Sequence, residues 1–185
     1  MRDVLDAAKT KPEGVTVATP GNGTLSHLTA SRLATQENAK LTHVPYRGAS
    51  PALTDLVGGQ VEVVVTSPSS AAGLVAGGKI KAIGATNSDL FGVFEGVQTL
   101  DQQGIKNMEV TDWYGSFAPK GTPPEIVEYL SQAIRQAVQS PDLKAKVNAS
   151  GSQVVGSSRE DFQKTVQKEI DEWGAVVRQA GLHVD

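Results

Sequence analysis

The sequence predicts an α/β fold with a parallel-rich sheet flanked by helices, and three observations carry that prediction. The first is Val15-Thr16-Val17-Ala18, a β-branched run of strand type. It is followed by the turn residues Thr19-Pro20-Gly21-Asn22-Gly23 and then by a helical stripe of Leu25, Leu28 and Leu33 with Ala30 and Ala34. The second is the return of the same order: an apolar run at residues 61–65, the small polar turn Thr66-Ser67-Pro68-Ser69-Ser70, and a short helix through Ala71, Ala72, Leu74, Val75 and Ala76. The third is the stretch Leu41-Thr42-His43-Val44-Pro45-Tyr46 between them, read as a further strand. Strand, crossover helix and strand in series is the order that parallel pairing requires.

Taken along the chain, Val4, Leu5 and Ala8 mark a short amphipathic helix, stopped by Lys11-Pro12-Glu13-Gly14. After the first strand and loop, the next helix runs to about Gln36, and residues 41–46 form the second strand. Ser50-Pro51 reads as a helix start, with Ser50 as cap and Pro51 in the first position, where no N–H is needed. Leu53, Leu56 and Val57 form its apolar face, and Gly58-Gly59 ends the helix. Residues 61–65 form the third strand and 80–86 a fourth, with Gly77-Gly78 between the helix and that strand. A short helix is expected near 98–103 and an extended segment over 109–119. Thr122 reads as a cap, Pro123 as the first helical residue and Glu125 as the partner in a capping box. Ile126, Leu130, Ile134 and Val138 then recur along one helix face. Ser140-Pro141 opens a further helix that ends near Gly151, and 153–155 reads as a short strand. Ser158 caps the last helix, which carries Phe162, Val166, Ile170, Trp173 and Val177 on one side and stops at Gly181.

Bulk properties narrow the function classes. The chain has 185 residues, enough for a domain with a real core, and a net charge of -3 with pI near 5.6 argues against a nucleic-acid partner. There is no cysteine, hence no thiol nucleophile, disulfide or thiolate metal site. No apolar run reaches the roughly 20 residues of a membrane span, and no apolar signal region opens the chain. The three histidines, His27, His43 and His183, do not have metal-ligand spacing, and no cofactor motif is complete. Gly73 to Lys79 matches a phosphate-loop spacing, but Ile80 stands where Ser or Thr is needed and the stretch ends a helix rather than opening one.

In a parallel sheet the loops after the strand C-termini share one edge, which is where ligands bind. Each strand–loop–helix unit leaves unpaired N–H groups at the start of its helix, and the helix dipole adds positive potential there. Two such starts at one edge suit a carboxylate. The candidate contacts in the first loop are Thr19, Gly21, Gly23 and Thr24, hydroxyls and backbone amides, with the alternative that the loop is an ordinary capped turn. His27 lies on the same side of the first helical turn as Thr24; it is either a ligand contact or a structural histidine, and His43 and His183 read as incidental. Thr66, Ser67 and Ser69 are the candidates in the second loop, with Ser69 as a helix cap in the alternative reading. Tyr46 and Gly48 follow a strand and belong to the same edge. Trp113 and Tyr114 suit a hinge or core position. Beside non-catalytic carboxylate binding stand two other readings: an α/β enzyme using His27 as base, and a structural or interaction domain without ligand.

Several motifs in order also resemble a family. They are the Ala18-Thr19-Pro20-Gly21-Asn22-Gly23-Thr24 loop with His27, His43-Val44-Pro45-Tyr46-Arg47-Gly48, and Pro51-Ala52-Leu53-Thr54-Asp55-Leu56 with Gly58-Gly59-Gln60. Further along come Gly77-Gly78-Lys79-Ile80-Lys81-Ala82-Ile83, Trp113-Tyr114-Gly115-Ser116-Phe117-Ala118-Pro119 and Gly121-Thr122-Pro123-Pro124-Glu125-Ile126-Val127. Together they are similar to the Bug-type (TctC-like) solute receptors of tripartite tricarboxylate transporters. The resemblance implies a type II periplasmic-binding-protein fold of two lobes, a small carboxylate (di- or tricarboxylate, acidic amino acid or aromatic acid) in the cleft, membrane permease subunits as partners, a periplasmic location and no enzymatic activity. Family members are longer, so the resemblance implies that most of the first lobe lies outside this chain. Residues 1–115 then correspond to the second, ligand-binding lobe, and 116–185 to the return strand and C-terminal helices of the first. A signal peptide is expected with the family, whereas the chain as written would be cytoplasmic if complete. The apolar stripes of the C-terminal helices, without the rest of their lobe, lead to the expectation of a homodimer.

Overall fold

The computed structural model describes residues 1–180. Its centre is a three-stranded parallel sheet in the order β2-β1-β3, formed by β1 (Val15–Thr19), β2 (Leu41–Pro45) and β3 (Val63–Val64). β1 pairs with β2 from Val15↔Leu41 to Thr19↔Pro45 and with β3 at Val17↔Val63 and Ala18↔Val64. As the middle strand it is buried almost throughout, which is why its residues are small and β-branched rather than alternating apolar and polar. Ahead of it, α1 (Arg2–Thr10) buries Leu5 and Ala8, and Gly14 takes a positive φ of 77° to turn into β1, where a Cβ would meet the backbone of Lys40.

The crossovers are α2 (Leu25–Glu37) and α3 (Ala49–Val57), and α4 (Pro68–Ala76) follows β3. α2 buries Leu28, Ala30 and Leu33 and ends at Asn38, which sits in the left-handed region at φ 47°. These elements close over one core of Leu5, Val15, Val17, Leu33, Val63, Leu100, Ile105 and Met108, with smaller clusters about Ala52 and about Leu53 and Phe94.

The third strand is shorter than expected because side chains replace its ladder at one end. The Glu62 carboxylate accepts from Thr16 N at 3.0 Å, and Glu62 N donates to Thr16 Oγ1 at 3.0 Å. The expected strand over 80–86 does not form. Its backbone groups find other partners: Ile83 O accepts from the Met1 amine at 3.2 Å and from Gln103 Nε2 at 3.0 Å. Only Ala85 makes a bridge, parallel, with Thr99. The helix expected near 98–103 is a turn closed by reciprocal bonds, Thr99 N to Gln102 Oε1 at 2.8 Å and Gln102 N to Thr99 Oγ1 at 3.1 Å, and a single 3-10 turn stands earlier at Gly92–Phe94.

The C-terminal part is α5 (Pro124–Ala137), α6 (Pro141–Ala149) and α7 (Arg159–Ala180). Ser158 caps α7 as expected, its Oγ accepting from Asp161 N at 3.1 Å. Two other expected caps differ. α3 starts after Gly48, so Ser50 and Pro51 fall inside its first turn, and the Ser50 carbonyl accepts from Thr54 Oγ1 instead. Thr122 donates to Pro119 O at 2.8 Å, closing the turn before α5, whose cap position is Pro123. No strand forms at 153–155, and Val155 is 73% exposed. The expected stop at Gly181, like His183, lies outside the described residues.

The buried apolar core ends at Val110, and neither α5 nor α6 buries a residue. α7 reaches the body by packing on α2 and by inserting Phe162 against Trp113 (ring centroids 5.0 Å apart, edge to face) and Phe117 (5.3 Å). Phe162 lies so close over Gly115 that a Cβ there would overlap its ring. Among the described residues no helix is long and apolar enough to cross a membrane.

Candidate functional site

The three strands end together, and the loops after them form one edge, as parallel pairing dictates. In the first loop each polar group has a structural task. Thr19 is fully buried, with Oγ1 2.7 Å from His43 Nε2 and 3.2 Å from Gly21 O. Thr24 Oγ1 donates to Gly21 O at 2.8 Å and accepts from His27 N at 3.3 Å, so it caps α2 while pinning the turn. Gly23 holds φ at 69°, a conformation that favours glycine, and its N–H donates to His27 Nδ1 at 3.1 Å. His27 and His43 stack face to face, 3.8 Å between centroids and 10° between planes. Burial lowers both pKa values below the usual histidine range, and the charge of His27 lowers His43 further. His43, on β2, thus packs against the first loop through Thr19 and His27, and its alternation with Val44 was the available signal for the face it occupies.

Behind this loop, Tyr46 N donates to Thr19 O at 3.0 Å and Gly48 N to Pro20 O at 2.9 Å, tying the turn after β2 to the turn after β1. The Tyr46 hydroxyl donates to Asp55 Oδ2 at 2.6 Å, and that bond, with burial, raises the phenol pKa. The amides of Thr24, Leu25 and Ser26, at the start of α2, have no partner among the described residues.

At the second loop Ser67 holds the cap position of α4 without capping it; its Oγ lies 3.0 Å from Ser70 Oγ and 3.3 Å from Ser69 Oγ. Ser69 does not cap either. Thr66 Oγ1 is buried and has no hydrogen-bond partner among the described residues.

A cleft of about 1540 Å³ opens on this edge. Its lining includes Ser26, Thr66, Ser67, Ser69 and Asn87, together with Leu130, Ile134 and Phe162 of the C-terminal helices. The cleft thus gathers the second-loop candidates together with the start of α2. Thr19, Gly21, Gly23, Thr24, His27, Tyr46 and Gly48 are not in its lining; they form the layer that holds α2's first turn in place. Asn87 and Asp112 also face the cleft. Asn87 could have been found from sequence, since it follows an apolar run as Thr66 does. Desolvation raises the Asp112 carboxyl pKa, opposed by the Trp113 amide, although the residue is open to solvent on one side. Among the described residues no cluster of His, Asp and Glu could hold a metal ion.

Residues 1–182 match the model of the TctC family, described as the tripartite tricarboxylate transporter family receptor. The chain belongs to this family. A curated relative, a UPF0065 protein from a Pseudomonas species, is 33% identical over 183 residues, which is 98% of this chain and 54% of the relative; the chain thus spans about half of it. Among solved structures, a Rhodopseudomonas palustris protein with adipate is 27% identical with a TM-score of 0.91, covering 98% of this chain and 61% of that one. MatC from the same organism, with bound malate, is 29% identical with a TM-score of 0.82, covering 96% of this chain and 61% of that one. The TctC membership agrees with the resemblance read from the motifs, and the α/β fold with its parallel sheet is shared with solved structures described as a periplasmic transporter and as the periplasmic binding protein BugD.

Proposed function

We propose that this TctC-family chain binds a small dicarboxylate, as the solute-recognising part of a tripartite transporter. The observation that carries the reading is the buried, unpartnered Thr66 hydroxyl, which shares one cleft with the free start of α2 at Leu25 and Ser26. Backbone amides and hydroxyls of this kind hold carboxylate oxygens without needing a counter-charge. The adipate and malate found in two structural neighbours support the same ligand class. Thr66, Ser67 and Ser69, with the α2 amides, make the contacts. Thr19, Gly21, Gly23, Thr24, His27, Tyr46 and Gly48 set the shape of the loop that presents them. His27 is assigned no catalytic role, since it lies outside the lining of the cleft.

Isothermal titration calorimetry against dicarboxylates, acidic amino acids and aromatic acids tests the reading. Binding of a dicarboxylate that Thr66→Val weakens at least tenfold supports it; binding of a neutral sugar and of no acid overturns it. The transporter reading also carries a periplasmic location, membrane permease subunits as partners, and a division into a ligand lobe over 1–115 and a C-terminal part over 116–185. Outside the cleft lining, Ile126 and Tyr129 of α5 and Ile170 of α7 are 47%, 70% and 59% exposed, apolar side chains that a second copy of the chain covers in a homodimer. Light scattering behind a sizing column reads this directly, and a monodisperse monomer at high concentration overturns it.

A further inference from the structure

The hydrogen bonds around the stacked pair fix the tautomer of His27. Gly23 N–H donates to His27 Nδ1, so that nitrogen holds a lone pair and the ring is neutral with its proton on Nε2. Beside it, His43 Nε2 lies 2.7 Å from Thr19 Oγ1, a bond that either tautomer of His43 makes, and Gly21 O accepts from Thr24 Oγ1 at 2.8 Å. Adding a proton to His27 sets Nδ1–H against Gly23 N–H, two donors face to face, and places a charge 3.8 Å from the neighbouring ring. His27 also sits in the first turn of α2, where the positive end of the helix dipole opposes an imidazolium.

Among the described residues the surroundings supply no compensating charge. β1 brings Thr19, β2 brings His43, and the turn after β2 brings Tyr46 and Arg47. α2 itself carries Arg32 and Glu37, and α7, packed on α2, carries Glu169, Asp171, Glu172 and Arg178. None of these shifts either ring; burial does, and so does the charge of one ring on the other. An anion bound at the start of α2 reverses the local potential. That favours protonation of His27.

Building on the carboxylate reading, we propose that anion capture at the α2 start is proton-coupled: a bound carboxylate draws a proton from water onto His27, which releases the Gly23 amide as a further donor. Linkage makes this reciprocal, so acid strengthens anion binding by the same factor that the anion strengthens protonation.

The test uses the full chain and adipate, at pH values where adipate is fully ionised. Calorimetry in two buffers of different ionisation enthalpy counts protons taken up on binding, and NMR follows the imidazole Cε1–H signals with and without adipate. The expected result is uptake approaching one proton, affinity rising up to roughly tenfold per pH unit on acidification, and a higher titration midpoint for His27 in the complex. His27→Asn keeps an acceptor for Gly23 N–H but cannot titrate, so its uptake should vanish and its affinity become independent of pH. Binding without proton uptake overturns the proposal, and so do ring midpoints that adipate leaves unmoved. Equal uptake in wild type and His27→Asn overturns it in favour of Asp112 as the proton acceptor. If no dicarboxylate binds at any pH, the carboxylate reading falls and the coupling with it.

Discussion

Removing one hydroxyl at Thr24 should loosen the whole first loop. Thr24→Val keeps the shape of the side chain but deletes two bonds: the cap that accepts from His27 N at 3.3 Å and the bond to Gly21 O at 2.8 Å. Loss of a threonine cap costs about 0.5–2 kcal/mol, and a net hydrogen bond is worth roughly 0.5–1.5 kcal/mol. Both bonds close the same turn, so their losses overlap, and Gly21 O keeps Thr19 as a donor. The expected destabilisation is about 2 kcal/mol, which for a chain of this length lowers the melting temperature by about 4–8 °C. Urea denaturation should show a lower midpoint with unchanged slope, because the surface exposed on unfolding is the same. Thr24→Ser retains the oxygen and should stay within about 0.5 kcal/mol of wild type. A valine variant as stable as wild type would refute the reasoning, as would a serine variant that loses as much as valine.

Two further predictions concern packing and pH. Gly115→Ala forces a Cβ onto the Phe162 ring and should cost about 1–3 kcal/mol of overpacking, read from the urea midpoint; adding Phe162→Leu should recover part of that loss, and additive losses would show that the two residues do not touch. Because His27 and His43 have folded pKa values below 6.5, the unfolded chain takes up protons first as pH falls. Their contribution to stability is therefore complete above about pH 6.5 and declines as pH falls through the folded values. Asp112, whose pKa is raised, acts in the opposite sense at lower pH. Denaturation midpoints measured between neutrality and mild acid check this: wild type should lose stability more steeply than His27→Asn, and equal slopes would contradict it.

Much of the chain was legible from local pattern. The β-branched runs, the turn residues after them and the period of the following apolar residues placed β1, β2, α2, α4 and all three C-terminal helices. These are decided by backbone propensity and by short-range spacing, which a sequence displays directly. The edge where the loops collect also followed, because parallel pairing leaves no other place for them.

What the tertiary structure alone decided depends on partners distant in sequence. Residues 80–86 have the composition of a strand, but Met1 and Gln103 take the Ile83 carbonyl that a ladder would use. β3 stops short because Glu62 meets Thr16 through side chains. Ser50 and Thr122 are good caps by type, yet each lost the position to a neighbour once the preceding turn had closed. The pairing of His27 with His43 likewise could not be read from either residue alone. One sits on a helix and the other on the strand beside β1, and only the register of Val17 with His43 brings the second ring to the same edge. A hydrogen bond or a ring stack needs two groups in one place, and sequence specifies each group without saying which distant partner will reach it first.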